Sequence, residues 1–100
     1  MITFARIAAI APGKRNEAMT FAHQVAKMVA DKVGKKVSTS IPIGGNPWRI
    51  LWVATYDNLA EFDSTSTKLL KDADYVKLLE SSASYFIPGS IHDELWAGVE

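Results

Sequence analysis

The stretch "PGSIHDELWAGV", residues 88–99, brings a histidine, two carboxylates and a tryptophan together within five positions: His92, Asp93, Glu94 and Trp96. A histidine exchanges a proton near neutral pH, and a neighbouring carboxylate can hold it in place. Strand side chains alternate between faces, so His92, Glu94 and Trp96 share one face. The same alternation groups Arg6 with Phe4 and Ala8, and Trp52 with Trp48, Ile50, Ala54 and Tyr56. If these faces coincide, the Arg6 fork can bind a carboxylate, phenolate or enolate oxygen while the aromatic rings hold a flat apolar body. His92 and Arg6 would then be a catalytic pair that deprotonates an acidic aromatic compound and stabilises its anion, the first requirement of oxygenation without a cofactor. Glu94 would orient His92 or compete for Arg6. The plainer alternative is a cross-strand Arg6–Glu94 ion pair, Trp52 and Trp96 as core filling, and His92 in water at a strand end.

The elements that must position these groups are read from periodicity. Residues 2–10 are rich in β-branched and small apolar side chains and stop at the turn signal Ala11-Pro12-Gly13. From residue 14 to 33, Ala18, Phe21, Ala22, Val25, Met28, Val29 and Val33 recur at helical steps, with Gly34 at the stop position and Lys32, Lys35 and Lys36 around it. Residues 37–43 alternate as a half-buried strand with Pro42 near its end, and "GGNP" turns the chain into "WRILWVATY". Asp57 or Asn58 can cap a second helix faced by Leu59, Phe62 and Leu69, and Asn58 with Glu61 has the capping-box form. After a break near residue 72, Asp72 or Asp74 restarts a helical pattern through Tyr75, Leu78, Leu79 and Phe86, and Pro88-Gly89 leads into the final strand.

The order β, α, β, β, α, β predicts a ferredoxin-like α+β fold. Right-handed crossovers place four strands in one antiparallel sheet, strands one and three central, helices on one face. Arg6 then has Trp52 on one flank and His92 or Glu94 on the other, and this mixed face is expected to look toward the helices. On the helices, Ser66 follows Leu59 and Phe62 where a large apolar residue is due, and Ser82 interrupts Tyr75, Leu78, Leu79 and Phe86. Cores avoid such gaps, so a pocket lined by Arg6, Trp52, Tyr56, Ser66, Ser82 and the His92–Trp96 face, Glu94 included, is expected. The other face of the sheet is bare, and in a chain 48% hydrophobic it most simply packs on a copy of itself, giving a homodimer.

Composition narrows the function. One hundred residues suit one domain, residues 1–100, with room for one core. Eleven basic and eleven acidic side chains cancel, which favours neither nucleic acid nor an anionic membrane as a partner and leaves a small molecule. The absence of cysteine removes disulfides, thiolate nucleophiles and zinc-ribbon spacing. Arg6 interrupts the apolar start before it reaches the length of a signal peptide, and no stretch is long enough to span a membrane, so a soluble, cytoplasmic protein is expected. No metal is expected: Asp93 points away from His92 and Glu94, and a pair lacks a third ligand. His23 falls on a helix flank beside Thr20 and Lys27 and reads as solvated, and the "GGNP" glycines lack the setting of a phosphate loop.

A first strand ending in "APGK", a helix, a hairpin into "WVATYDNLAEF", then "DADYVKLL" and a last strand resemble the dimeric α/β-barrel superfamily. The small stress-response, antibiotic-biosynthesis-monooxygenase-like and NIPSNAP-like domains are the nearest in pattern. The resemblance implies a homodimer whose two sheets form a barrel, with a ligand pocket in each subunit between sheet and helices. Haem-degrading members use an asparagine on the first strand and a tryptophan and histidine on the second helical region. Here Arg6 stands at the asparagine's place and residues 62–86 hold neither tryptophan nor histidine, so haem is not expected, and no cofactor is. The polyketide oxygenases use asparagine, tryptophan and tyrosine, and the aromatic part of that set has equivalents here. Two functions follow: a binding or stress-associated protein that holds a small acidic or aromatic molecule, or a cofactor-independent monooxygenase or isomerase of aromatic, polyketide-like compounds.

Overall fold

A computed structural model describes residues 1–99. Four strands, β1 (Ile2–Ala9), β2 (Ser38–Ser40), β3 (Arg49–Tyr56) and β4 (His92–Ala97), form one antiparallel sheet in the order β2-β3-β1-β4. Three helices, α1 (Arg15–Val33), α2 (Leu59–Leu70) and α3 (Ala73–Ser81), follow the expected order and pack on one face, giving the α+β, ferredoxin-like architecture. No helix among the described residues is long and apolar enough to cross a membrane.

The core lies between sheet and helices. Ala8, Ile50, Trp52 and Ala54 point into it from the central strands, while Ala18, Phe21, Ala22 and Val25 meet them from α1. Phe21, Trp52 and Phe86 form an edge-to-face triangle with ring centroids 5.7–6.2 Å apart. Gly34 ends α1 in the left-handed region at φ 69°, where its N–H reaches the Ala30 carbonyl; a side chain there would be strained.

Two boundaries differ from expectation for local reasons. Pairing of β2 with β3 stops at Ser40, well short of residue 43, because Pro42 has no N–H for the ladder and Gly45 turns the chain at φ 74°. The loop is pinned instead by Asn46, whose Oδ1 accepts from the Trp48 N–H and whose carbonyl accepts from Arg49 Nε. On α2, Leu59 faces solvent, so the inward stripe is Phe62, Ser66 and Leu69. Asn58 Oδ1 accepts the Glu61 N–H as the sequence predicts, but the Glu61 carboxylate turns to Lys35 rather than back to the cap.

The break between α2 and α3 is built on Asp72, which caps α3 by accepting the Tyr75 N–H at 3.0 Å and pairs with Lys32 of α1 at 3.1 Å. Those two contacts, the cap first, hold the Asp72 carboxyl below the usual range. A depressed folded pKa means the stabilisation is complete above the unfolded value near 4 and is lost as pH falls through the folded one. Asp72→Asn keeps an acceptor for the cap and removes the titration. Its thermal midpoint should therefore fall less steeply than that of the wild type between about pH 4 and pH 2. Parallel slopes in the two proteins would assign acid sensitivity elsewhere.

Candidate functional site

Strand register decides which polar groups meet. Trp52 stands opposite Arg6 on β3, as expected, but the residue opposite Arg6 on β4 is Asp93. Asp93 takes the guanidinium in a two-point pair, Nε to Oδ1 at 2.7 Å and Nη2 to Oδ2 at 2.8 Å. His92, Glu94 and Trp96 lie opposite Ile7, Ala5 and Thr3, so they occupy the sheet face turned away from the helices. This corrects the expectation that they line the pocket. One residue of register separates the two arrangements, and the bidentate pair with Arg6 accompanies the one adopted.

On that outer face the three form a cluster of their own. His92 Nε2 is 2.8 Å from Glu94 Oε2, and Trp96 Nε1 donates to Glu94 Oε1 at 2.8 Å. These contacts, with His92 the larger influence, hold the Glu94 carboxyl below its usual range. Ser82 is also absent from the pocket. It is buried at the end of α3, and its hydroxyl donates to the Leu79 carbonyl at 2.7 Å, so it closes the helix.

Arg6, Trp52, Tyr56 and Ser66 do line one cavity, of about 270 Å³, between the sheet and all three helices. Phe4 and Phe62, 5.5 Å apart, supply aromatic wall, and Tyr56 meets the Phe62 ring edge-on at 5.2 Å. Val25 and Val29 of α1 and Leu69 of α2 make the apolar side, and Tyr75 of α3 and Asp93 were not foreseen as members. A charge-matching rule across neighbouring strands, Arg6 seeking the nearest acid that shares its face, would have found Asp93.

The cavity is rich in donors. Trp52 is 7% exposed, and its Nε1 has no hydrogen-bond partner among the described residues. Burying such a group unpaired is costly, but the atom has essentially no accessible surface, so it belongs to the core beneath the cavity wall. Burial raises the phenol pKa of both Tyr56 and Tyr75, against the opposing pull of Lys35 on the first and Arg6 on the second. Both stay protonated at neutral pH and act as donors. Arg6, held charged more firmly than usual by Asp93, spends two of its five N–H donors on that carboxylate and keeps three. Asp93 is the one carboxylate among the described lining residues. Lys35 lies outside the wall, its Nζ 4.8 Å from the Tyr56 ring centroid and bonded to the Thr55 carbonyl and Glu61.

Comparison with known proteins bears on the fold. No protein-family model and no curated protein sequence matches the chain. Solved structures do. A NIPSNAP family protein from Agrobacterium tumefaciens superposes with a TM-score of 0.83 at 16% identity, covering 99% of this chain and 86% of its own. A NIPSNAP domain protein from Burkholderia xenovorans gives 0.83 at 12% identity, over 99% and 95% of the two chains. An antibiotic biosynthesis monooxygenase-like protein from Nitrosomonas europaea gives 0.76 at 11% identity, over the full length of both. The subunit fold implied by the sequence resemblance is the fold found.

Proposed function

We propose that this protein binds a small, largely aromatic molecule in the cavity between its sheet and helices, as a homodimer joined through the bare sheet face. The observation that carries the binding reading is the cavity itself, where Ser66 stands in the otherwise apolar inward stripe of α2, across from Arg6 and Asp93. A protein selected only for packing fills such a position. About 270 Å³ lies just under the usual range for ligand sites and suits a body of one or two fused rings. The homodimer is supported by the apolar centre of the bare face, where Ile7, Leu51, Val53 and Ala5 pair across β1 and β3. The cysteine-free composition suits the cytoplasm.

The monooxygenase or isomerase reading draws support from the fold shared with the Nitrosomonas protein. It requires a base beside Arg6. His92 is on the opposite face and Asp93 is engaged by Arg6, so binding without turnover is the reading we favour.

Ser66→Leu tests the pocket directly. The added volume restores the apolar stripe of α2, so calorimetric titration with naphthalene derivatives should show binding in the wild type and none in the variant, with the thermal midpoint held or raised. A variant that binds as well as the wild type would place the ligand elsewhere.

A further inference from the structure

The Arg6–Asp93 pair carries the binding reading further, to the charge of the ligand. An unpaired arginine in an aromatic cavity selects anions. Here the register of β4 sets a carboxylate directly opposite, at 2.7 and 2.8 Å on two guanidinium nitrogens, so the positive charge is already matched. A carboxylate ligand entering the cavity would either displace Asp93 or sit beside a second negative charge, and both are unfavourable, though solvent screens a pair whose side chains are 33% and 43% exposed. An uncharged acceptor meets no such obstacle. It can take a tyrosine hydroxyl or a remaining Arg6 N–H while its ring lies among Phe4, Tyr56 and Phe62.

We infer that Asp93 is a specificity-determining residue that makes the cavity a site for neutral aromatic carbonyl compounds and turns aromatic carboxylates away. The inference rests on the small-molecule reading of the cavity and replaces "acidic or aromatic" with neutral and aromatic. Its partner in selection is Arg6, which Asp93 holds in place.

The test uses two probes of nearly equal shape, 2-acetonaphthone and 2-naphthoate, titrated calorimetrically at neutral pH into the wild-type protein, into Asp93→Asn and into the double variant Arg6→Gln/Asp93→Asn. The wild type should bind the ketone at least about ten-fold more tightly than the carboxylate. Asp93→Asn should strengthen naphthoate binding by about ten- to a hundred-fold, the range of a charge-assisted hydrogen bond, with little change for the ketone. In the double variant naphthoate should be weak again, which separates the freed arginine from a change of shape. A wild-type preference for naphthoate, or an unchanged ratio in Asp93→Asn, overturns the inference and leaves the cavity a ligand site. Failure of the folded wild type to bind either probe overturns the binding reading along with it. The wild-type ratio stands as a test even where Asp93→Asn does not fold.

Discussion

Phe21→Ala lowers the stability of this protein by about 3–5 kcal/mol, a large share of the roughly 5–15 kcal/mol typical of a chain this size. Phe21 is 5% exposed and sets its ring against Trp52 and Phe86, with Ala22 and Ala18 of the same helix too small to collapse into the space it would leave. Truncation therefore removes the transfer energy of the ring, enlarges the cavity that Phe21 helps to line and breaks two aromatic contacts worth roughly 0.5–1.5 kcal/mol each. Urea unfolding followed by circular dichroism measures the loss. A shift below about 1 kcal/mol would mean that the aromatic triangle does not hold the helices to the sheet.

Leu51→Lys is expected to separate the proposed dimer without unfolding the subunit. Leu51 is half-buried on the bare face, between Ile7 of β1 and Ser40 of β2, so a lysine there can reach solvent in a lone subunit. In a two-fold interface the substitution enters twice. Two unpaired ammonium groups, each costing several kcal/mol when buried, raise the dissociation constant by more than about a thousand-fold. Sedimentation at micromolar concentration should show a dimer for the wild type and a monomer for the variant, with unchanged circular dichroism. A wild-type monomer would remove the dimer from the proposal, and a variant that stays dimeric would move the interface off this face.

Much of the fold was legible because independent signals agreed. The α1 stripe, Gly34 at its end, the Asn58 cap and the break at residue 72 each came from local chemistry that tertiary packing did not need to overrule. Central placement of β1 and β3 followed from connection rules, and the observed register sets Trp52 opposite Arg6. The last strand was not legible in the same way. Its two alternating sets, His92, Glu94 and Trp96 against Asp93 and Leu95, each mix charge with apolar bulk, so periodicity has no preference between them. What separates them is the partner strand, where Asp93 meets Arg6 and Leu95 meets Phe4. Ser82 misled for a related reason: a serine in an apolar stripe near a helix end serves the backbone as readily as it leaves a gap.

The pairing of β1 with β4 also shapes how the chain reaches this state. Ile2 faces Ala97, and the Gly98 N–H bonds to the Met1 carbonyl, so this seam joins segments separated by nearly the whole sequence. Loop closure over that distance is entropically costly, and high contact order slows folding. The β1–β3 ladder and the one helix between them, α1, can assemble across a shorter loop, which would leave the β4 side of β1 as an unpaired edge until β4 arrives. During that interval "ITFARIAA" is a β-prone, largely apolar strand that any other chain can extend, interrupted by one charge. In that order of events Arg6 would act before it has a pocket to line, as the charge that discourages a foreign strand from docking where β4 belongs.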